Sequence, residues 1–313
     1  SVDKDGGMMR HRRSGTIVSS WEGITFQGTK YHSLTPDDIE LQQSDQWLGA
    51  GSGGVVSQGI VRRTGEPVAV KTVQVDQNKK LRQLLNELQG LVRSEDCPNL
   101  VQWHAGFLRP DHTAVILVLE LMDLGSLADL KKRLHGQGMP PKYLASISRQ
   151  VASGLSHLHG KSLIHRDIKP HNILHNSIGD VKLADFGLSE MRPLDKTEPM
   201  RIGSLDGSMM YMCPERVLGE TYDASADTWS VGMVCYELAT GRHPFGEVHS
   251  ILEVLRHVLD EPEPRLDSTY PESLCSFVAG CLTREIAKRL DATGLCAHSF
   301  VNEGVPTRTD LAA

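Results

Sequence analysis

The chain has 313 residues, 39% of them hydrophobic and 23% charged, and its formal net charge of −6 disfavours broad binding to nucleic acid or to an anionic membrane. Its length is sufficient for about two domains, and its longest apolar run, residues 114–119, is strand-sized and far too short to cross a bilayer. Six cysteines without metal-ligand spacing, and an N-terminal segment without an apolar signal core, lead us to expect free thiols in a cytoplasmic protein.

Residues 1–44 differ from the rest of the chain. They are polar, contain a basic run at residues 10–13, and show no sustained hydrophobic period. Segments that cannot bury enough apolar surface do not recover the entropy lost on folding. We therefore predict an N-terminal extension that is partly disordered.

The next segment, residues 47–75, carries short β-branched runs that glycine and proline interrupt. This pattern predicts antiparallel strands joined by tight turns. In residues 79–93, leucines recur at spacings of three, four and seven, which predicts an amphipathic helix. Two further strands are expected near residues 100–107 and 113–119.

Beyond residue 123 the pattern becomes mainly helical. Residues 144–158 place apolar side chains every three or four positions, and residues 225–240, 250–260 and 272–282 also predict helices. We therefore expect an α+β protein with a small strand-rich lobe and a larger helical lobe. Sites of ligand chemistry often lie between two such halves.

A glycine-rich stretch with the pattern G-x-G-x-x-G-x-V opens the strand-rich region. Glycine lets backbone amides approach a phosphate closely because no Cβ stands in the way, although a flexible hairpin turn would use the same residues. No helix pattern follows at once, as a dinucleotide-binding fold requires, and the ending of a Walker loop is missing. The candidate ATP-binding residues in this stretch are Leu48, Gly49, Ala50, Gly51, Ser52, Gly53, Gly54, Val55 and Val56.

Lys71 lies on the next strand pattern, seventeen residues after Gly54. A lysine at this place after such a loop is suited to bind the α- and β-phosphates of ATP. A cation inside a cleft needs an anionic partner if it is to keep its charge. Glu87, on the apolar side of the predicted helix, is the candidate partner; the alternative is a residue at the rim of the helix that faces solvent.

Residues 165–172 read His-Arg-Asp-Ile-Lys-Pro-His-Asn and match the kinase pattern H-R-D-x-x-x-x-N after a long amphipathic helix. In that pattern Asp167 accepts a hydrogen bond from the substrate hydroxyl. Asn172 supplies an oxygen ligand to Mg²⁺, and Lys169 balances negative charge on the transferred phosphoryl group. This is the strongest local indication of catalysis in the sequence.

Asp185 opens the triplet Asp-Phe-Gly thirteen residues after Asn172, behind a strand pattern. Its carboxylate is expected to bind the Mg²⁺ that bridges the β- and γ-phosphates. The alternative is an inactive protein with the same fold, and such proteins typically lack one of the catalytic groups. All four groups are present, so we expect an active enzyme; they are Lys71, Asp167, Asn172 and Asp185.

Residues 45–301 resemble a eukaryotic protein kinase domain. Further features of that family follow in order. Residues 213–215 read Cys-Pro-Glu where kinases have Ala-Pro-Glu, and a stretch beginning at Asp227 is similar to the central helix of the large lobe. Arg289 stands where the family places the partner of Glu215, so we expect a buried ion pair between them.

The resemblance implies the bilobal protein kinase fold, with a small lobe at residues 45–120, a large lobe at residues 121–301 and a C-terminal tail at residues 302–313. It also implies ATP as the phosphate donor and Mg²⁺ as the cofactor. Backbone groups after the gatekeeper Leu119 would contact the adenine edge, and apolar side chains would cover its faces. The adenine-site residues implied in this way are Val56, Ala69, Leu119, Glu120, Met122 and Leu174.

Residues 207–216 resemble the G-T-x-x-Y-M-x-P-E-R motif of MAP kinase kinases, with Ser208 in place of the threonine that contacts Lys169. Residues 51–56 and 122–127 are similar to two other stretches of that family. The resemblance implies a dual-specificity kinase that phosphorylates Thr and Tyr in the activation loop of a MAP kinase and is itself activated by an upstream kinase. A Ser/Thr kinase with other substrates and a scaffold without phosphate transfer are the alternatives.

The same resemblance indicates Ser204 and Thr197 as activation phosphosites. A phosphate at either position carries nearly two negative charges and would pair with Arg166, whereas ordinary polar loop residues are the alternative. Near the N-terminus, the basic run at 10–13 and the apolar residues 17–18 resemble the peptide that family members dock on MAP kinases. Plain disorder is the competing interpretation of that segment.

Overall fold

The computed structural model describes residues 2–5, 8–11, 16–19, 23–26, 29–31, 34–41, 47–51, 54–74, 84, 88, 96–109, 111, 113–186, 190–191 and 208–302. For β-strand residues within 2–31, and for residues 47–51 and 190–191, only the backbone is described. The chain divides into two compact units. The first comprises Ser1–Glu95, Val101–Met122 and Asp185–Gly187; the second comprises Asp96–Leu100, Asp123–Ala184 and Leu188–Ala313. Within the described ranges, every helix is too short or too polar to cross a bilayer.

Five short strands near the N-terminus form an antiparallel sheet in the order of the chain. They are β1 (Val2–Asp5), β2 (Met8–His11), β3 (Thr16–Ser19), β4 (Gly23–Phe26) and β5 (Thr29–Tyr31). These strands lie within residues 1–44, for which the sequence predicts a partly disordered extension. Strands of three or four residues are too short to display a hydrophobic period, and only their mutual pairing identifies them.

The N-terminal basic run falls partly in the hairpin of β2 and β3. Arg10 pairs with Ile17 and Met9 pairs with Val18 across the two strands. Arg12 and Arg13 lie outside the described residues. The backbone of this segment is therefore engaged in a hairpin, which neither the docking-peptide interpretation nor the disorder interpretation predicted.

A six-stranded antiparallel sheet forms the body of the first unit. Its strands are β6 (Ile39–Leu41), β7 (Trp47–Gly51), β8 (Gly54–Val61), β9 (Pro67–Gln74), β10 (Trp103–Leu108) and β11 (Ala114–Glu120). Their order is β10-β11-β9-β8-β6, and β7 pairs with β8. Because β6 joins this sheet, the sheet begins before residue 45, where the sequence placed the start of the domain.

One apolar cluster holds the first unit together. Side chains from β8, β9, β10 and β11 meet in it, and β3 and β4 lie against β10. Burial of apolar surface is the main stabilising term in such a cluster. Its members are Leu34, Val61, Val68, Val70, Ala105, Phe107 and Val118. In the predicted helix at 79–93, Leu84 and Leu88 are helical and fully buried, and the remaining residues lie outside the described part.

The second unit is mainly helical. Its helices are α1 (Leu127–Arg133), α2 (Pro141–Gly160), α3 (Pro214–Val217), α4 (Ser225–Thr240), α5 (Ile251–Leu259), α6 (Glu272–Cys281), α7 (Ala292–Ala297) and α8 (Ser299–Asn302). The predicted helices at 225–240, 250–260 and 272–282 are therefore confirmed as α4, α5 and α6. The α+β class is confirmed as well.

Helix α4 is the centre of the second unit. Nearly all of its residues are buried, because α2, α6 and α7 pack around it. A helix that is apolar on all sides is expected in the middle of a large domain. At Gly232 an added Cβ would lie 2.6 Å from Cβ of Cys281, so glycine is what permits the close approach of α4 and α6. Gly241 ends the helix with φ 73°, a left-handed conformation that favours glycine.

Two short two-stranded sheets hold the loop that carries the predicted catalytic residues. Strand β12 (Leu163–Ile164) pairs with β15 (Glu190–Met191), and β13 (Ile173–His175) pairs with β14 (Val181–Leu183). The loop at 165–172 is thus fixed at both ends by a paired strand. Helix α2 packs against β12 and β14. Its apolar stripe is buried, as predicted; the members are Leu144, Ile147, Val151, Leu155 and Leu158.

Candidate active site

Lys71 and Asp185 form an ion pair within the first unit. Lys71 lies on β9, is 7% exposed, and places Nζ 3.3 Å from Oδ1 of Asp185. Burial disfavours a charged ammonium, and a nearby carboxylate restores its charge. Asp185 adopts φ 63°, a left-handed conformation that costs a non-glycine residue about 1–2 kcal/mol. The predicted partner of Lys71, Glu87, lies outside the described residues.

The glycine-rich turn connects β7 to β8. Gly51 pairs with Gly54, and Gly54 has φ 131°, which L-residues with a side chain rarely adopt. An added Cβ at Gly54 would also lie 2.3 Å from the carbonyl oxygen of Thr72. The backbone therefore requires glycine here, while Ser52 and Gly53 lie outside the described residues. Val56 follows on β8 and pairs with Lys71.

The residues implied for the adenine site occupy neighbouring strands of the first unit, with one exception. Leu119 on β11 pairs with Ala69 on β9, and Met122 beyond the strand is 5% exposed. The Glu120 carboxylate accepts a hydrogen bond of 2.7 Å from the backbone N–H of Gln102, which ties β11 to the start of β10. Leu174 is the exception, since it lies on β13 of the second unit and forms a bridge with Ser126.

Asp167 is the centre of a hydrogen-bonded group in the second unit. Its Oδ2 accepts bonds of 2.8 Å from Lys169 Nζ and from Asn172 Nδ2, and its side chain is nearly buried. Asn172 Nδ2 also donates to the carbonyl oxygen of Asp167 at 2.8 Å. Among the residues that the structure describes, none donates a hydrogen bond to Oδ1 of Asp167. One carboxylate oxygen is thus fixed and the other is left for an incoming donor.

The backbone on the N-terminal side of Asp167 is held by Asp227 at the start of α4. Its two carboxylate oxygens accept from the N–H groups of His165 and Arg166, both at 2.8 Å. His159 Nε2 lies 2.8 Å from Asp227 Oδ2. Burial opposes ionisation, but the hydrogen bond and charge of His159 outweigh it and lower the pKa of Asp227. Asp227 belongs to a stretch that the sequence marks as a family feature, whereas no sequence motif indicates His159.

Ser208 contacts Lys169, as the sequence predicted. The Lys169 Nζ donates to Ser208 Oγ at 2.6 Å while it also contacts Asp167. A short 3-10 turn, Met209–Tyr211, follows directly, and the Tyr211 hydroxyl donates to Glu237 Oε2 at 2.6 Å. Burial and the neighbouring Glu237 raise the pKa of Tyr211. The segment that faces the catalytic loop is thereby anchored to α4.

The predicted ion pair of Glu215 and Arg289 is present. Arg289 NH1 donates to Glu215 Oε1 at 2.6 Å, and NH2 donates to Oε2 at 3.1 Å. The pair fixes α3, which begins directly after Cys213, to the remainder of the second unit. The other residues predicted on this segment, Thr197 and Ser204, lie outside the described part of the chain.

Comparison with known proteins agrees with this geometry. A family model described as "Protein kinase domain" matches residues 42–301. A strand-rich unit with the Lys71–Asp185 pair and a helical unit with the Asp167 loop are what this class combines, and the chain is a protein kinase.

Among similar proteins, mitogen-activated protein kinase kinase 2 of Arabidopsis thaliana is 35% identical over 312 residues, covering 96% of this chain and 83% of its own length. Mitogen-activated protein kinase kinase SIPKK of Nicotiana tabacum is 34% identical over 310 residues, covering 95% and 84%. Dual specificity mitogen-activated protein kinase kinase 7 of Homo sapiens is 34% identical over 300 residues, covering 93% and 68%. The chain belongs to the MAP kinase kinase family.

Proposed function

We propose that this kinase transfers the γ-phosphate of ATP to both Thr and Tyr in the activation loop of a MAP kinase. The observation that carries the proposal is the hydrogen-bonded group of Asp167, Lys169 and Ser208, in a chain whose relatives bear the names given above. The human relative is named as a dual-specificity enzyme, and we extend that property to this chain.

Asp167 orients the acceptor. Its Oδ2 is occupied by Lys169 and Asn172, so Oδ1 is the atom that accepts the hydrogen bond of the substrate hydroxyl. The hydroxyl oxygen then attacks phosphorus in line with the departing ADP oxygen, and its proton passes to the carboxylate. Lys169 keeps a positive charge beside the reacting oxygens, where negative charge is concentrated.

The first unit supplies the groups that bind the nucleotide. Lys71 contacts the α- and β-phosphates, and the amides of the glycine-rich turn at 48–56 contact the phosphate chain. The adenine lies against apolar side chains, with its edge on backbone groups of residues 120–122. The first-unit side chains proposed to cover the adenine are Val56, Ala69 and Leu119.

Each unit contributes one side chain whose donor chemistry fits Mg²⁺. Asn172 uses its Nδ2 to hold Asp167, and in the described residues no donor occupies its Oδ1, which leaves a neutral oxygen for a cation. Asp185 adds a carboxylate whose Oδ1 already contacts one cation, Lys71. Hard cations of this size prefer such oxygen ligands. Mg²⁺ held by such a side chain would neutralise charge on the β- and γ-phosphates.

Regulation by an upstream kinase is part of the proposal. Phosphate on Thr197 or Ser204 would add nearly two negative charges to the segment that precedes Ser208, and a guanidinium such as that of Arg166 pairs well with phosphate. Arg166 has φ 71° and its carbonyl oxygen accepts a 2.7 Å bond from Arg216 NH1, so two arginines are already close together.

We place this signalling activity in the cytoplasm.

The test is phosphate transfer to a panel of purified MAP kinases with ATP and Mg²⁺, followed by mapping of the modified residues. Wild type, a Thr197→Glu/Ser204→Asp variant and an Asp167→Ala variant are compared. Phosphate on both Thr and Tyr of a MAP kinase, absent with Asp167→Ala, supports the proposal. Phosphate on Ser or Thr of unrelated proteins alone indicates a Ser/Thr kinase with other substrates. No transfer by any variant indicates a scaffold and contradicts the proposal.

A further inference from the structure

Glu237 is a buried carboxylate whose two oxygens are both occupied. Its side chain is 3% exposed, Oε2 accepts from the Tyr211 hydroxyl, and Oε1 forms an ion pair with Lys131 Nζ. Lys131 comes from α1, 106 residues away in the chain, and is 34% exposed. A buried carboxylate is costly without a cation, so Lys131 supplies the charge that Glu237 requires.

This pair lies close to the acceptor side of the catalytic loop. Tyr211 follows Ser208 by three residues, and Ser208 shares Lys169 with Asp167. Contacts through Tyr211, Ser208 and Lys169 therefore connect Glu237 to Asp167, on the side where the acceptor hydroxyl is proposed to bind.

Lys131 thus occupies the position beside Glu237 that a cationic side chain of a substrate would otherwise occupy. An unpaired carboxylate there would favour substrates with arginine or lysine near the acceptor hydroxyl. We propose that Lys131 is a specificity-determining residue, which neutralises Glu237 from within and keeps this kinase from selecting basic substrates. The inference rests on the proposed kinase function and defines its substrate class as one without a required basic residue.

Lys132 provides a matched control on the same helix. It is the next residue in the chain, its side chain is 75% exposed, and it pairs with Asp129 at 3.1 Å rather than with Glu237. A variant at this position removes the same unit of charge from α1 and leaves the buried pair intact.

The experiment uses an activation-loop peptide of a MAP kinase in which each residue around the acceptor is replaced in turn by arginine or by alanine. The ratio of kcat/KM for each arginine peptide to its alanine counterpart is measured for wild type, Lys131→Gln, Lys132→Gln and Lys131→Gln/Glu237→Gln. Glutamine at 131 keeps an N–H donor for Glu237 and removes the charge. Lys131→Met serves as a second variant, and thermal unfolding establishes that each variant is folded.

For Lys131→Gln, the ratio is expected to rise by about tenfold at one or more positions, because an uncompensated carboxylate now attracts the guanidinium. Wild type, Lys132→Gln and the double variant are expected to keep a ratio near unity. An unchanged ratio in folded Lys131→Gln and Lys131→Met overturns the inference, as does an equal rise in Lys132→Gln.

A binding measurement separates this inference from the proposed function. Fluorescence anisotropy of labelled arginine and alanine peptides needs no phosphate transfer. If no protein in the set transfers phosphate but Lys131→Gln still binds arginine peptides about tenfold more tightly than wild type does, the proposed function fails and the role of Lys131 stands. If transfer occurs but neither measurement distinguishes arginine from alanine, the role of Lys131 fails alone.

Discussion

Arg289 and Glu215, 74 residues apart in the chain, form a two-pronged ion pair that is almost completely buried. The guanidinium also lies over the Trp229 ring, 5.2 Å from its centroid. Parallel N–H···O bonds of this kind fix orientation as well as distance. The short helix α3, and with it the segment that carries Ser208, is therefore held to the core of the second unit.

Replacing Arg289 by methionine should destabilise the protein strongly. The Glu215 carboxylate would remain buried without a cation, which typically costs about 3–5 kcal/mol. The free energy of unfolding in urea measures this effect. Lys288→Met is the control, because its ion pair with Glu285 is exposed and should contribute less than about 1 kcal/mol. Equal effects of the two substitutions would contradict the structural role given to Arg289.

The same pair predicts a specific dependence of stability on pH. Burial opposes the ionisation of Glu215, but the hydrogen bonds and charge of Arg289 outweigh it and lower its pKa below the ordinary value of 4.5. A group with a lowered pKa in the folded state stabilises the protein above its unfolded pKa, and that contribution is lost as the pH falls through the folded value. The stability difference between wild type and Glu215→Gln should therefore be constant above pH 4.5 and shrink below it. A difference that grows on acidification would show that the sign is wrong.

Gly54→Ala should weaken ATP binding. The added Cβ would meet the carbonyl oxygen of Thr72, and a positive φ is unfavourable for alanine, so the turn between β7 and β8 must shift. We expect KM for ATP to rise about tenfold, with a smaller effect on KM for the protein substrate.

Gly65→Ala is the matched control for the glycine-rich turn. Gly65 also has a positive φ, 73°, but an added Cβ meets no atom within 4 Å. The Gly65→Ala variant therefore has the conformational cost of a positive φ at alanine but no steric contact. An equal rise in KM for ATP in both variants would indicate a general loss of stability rather than a local effect on the nucleotide.

Asp227→Asn should slow catalysis without weakening ATP binding to a comparable degree. An asparagine amide in this position directs N–H donors at the backbone N–H of His165 or Arg166, so that a buried donor loses its acceptor at a cost of about 1–3 kcal/mol. A displaced catalytic loop should lower kcat by about 10²-fold. Steady-state kinetics measure kcat and the KM for ATP, and urea unfolding measures the loss of stability.

Asp267→Asn provides the comparison for that substitution. Asp267 is exposed. Among the described residues, only Thr269 donates hydrogen bonds to its carboxylate. It should leave kcat unchanged. If Asp227→Asn retained full kcat in a stable protein, the claim that Asp227 positions the catalytic loop would be wrong.

Local motifs were sufficient to predict much of the site. Asp167, Lys169 and Asn172 lie within six residues of one another, and folding brings them into one hydrogen-bonded group as the motif requires. Lys71 and Asp185 were predicted separately, and the structure pairs them directly. Helix α2 was predicted because residues 144–158 repeat their apolar side chains every three or four positions over several turns.

Other parts depend on contacts that no local pattern encodes. His159 and Asp227 are 68 residues apart, and Lys131 and Glu237 are 106 residues apart. Each of these side chains has an ordinary surface role in most sequences, and only the tertiary fold of the second unit brings them together. The N-terminal strands were missed for a different reason, since each is too short for its period to be recognised before its neighbour is known.

The central claim is that Asp167 acts on the acceptor and not on the nucleotide. The most direct test is to measure, on the same Asp167→Asn protein, both the dissociation constant for ATP and the rate of phosphate transfer to a MAP kinase. We expect transfer to fall by about 10³-fold while ATP affinity stays within about twofold of wild type. Transfer at the wild-type rate, or a loss of ATP affinity that matches the loss of transfer, would contradict this account.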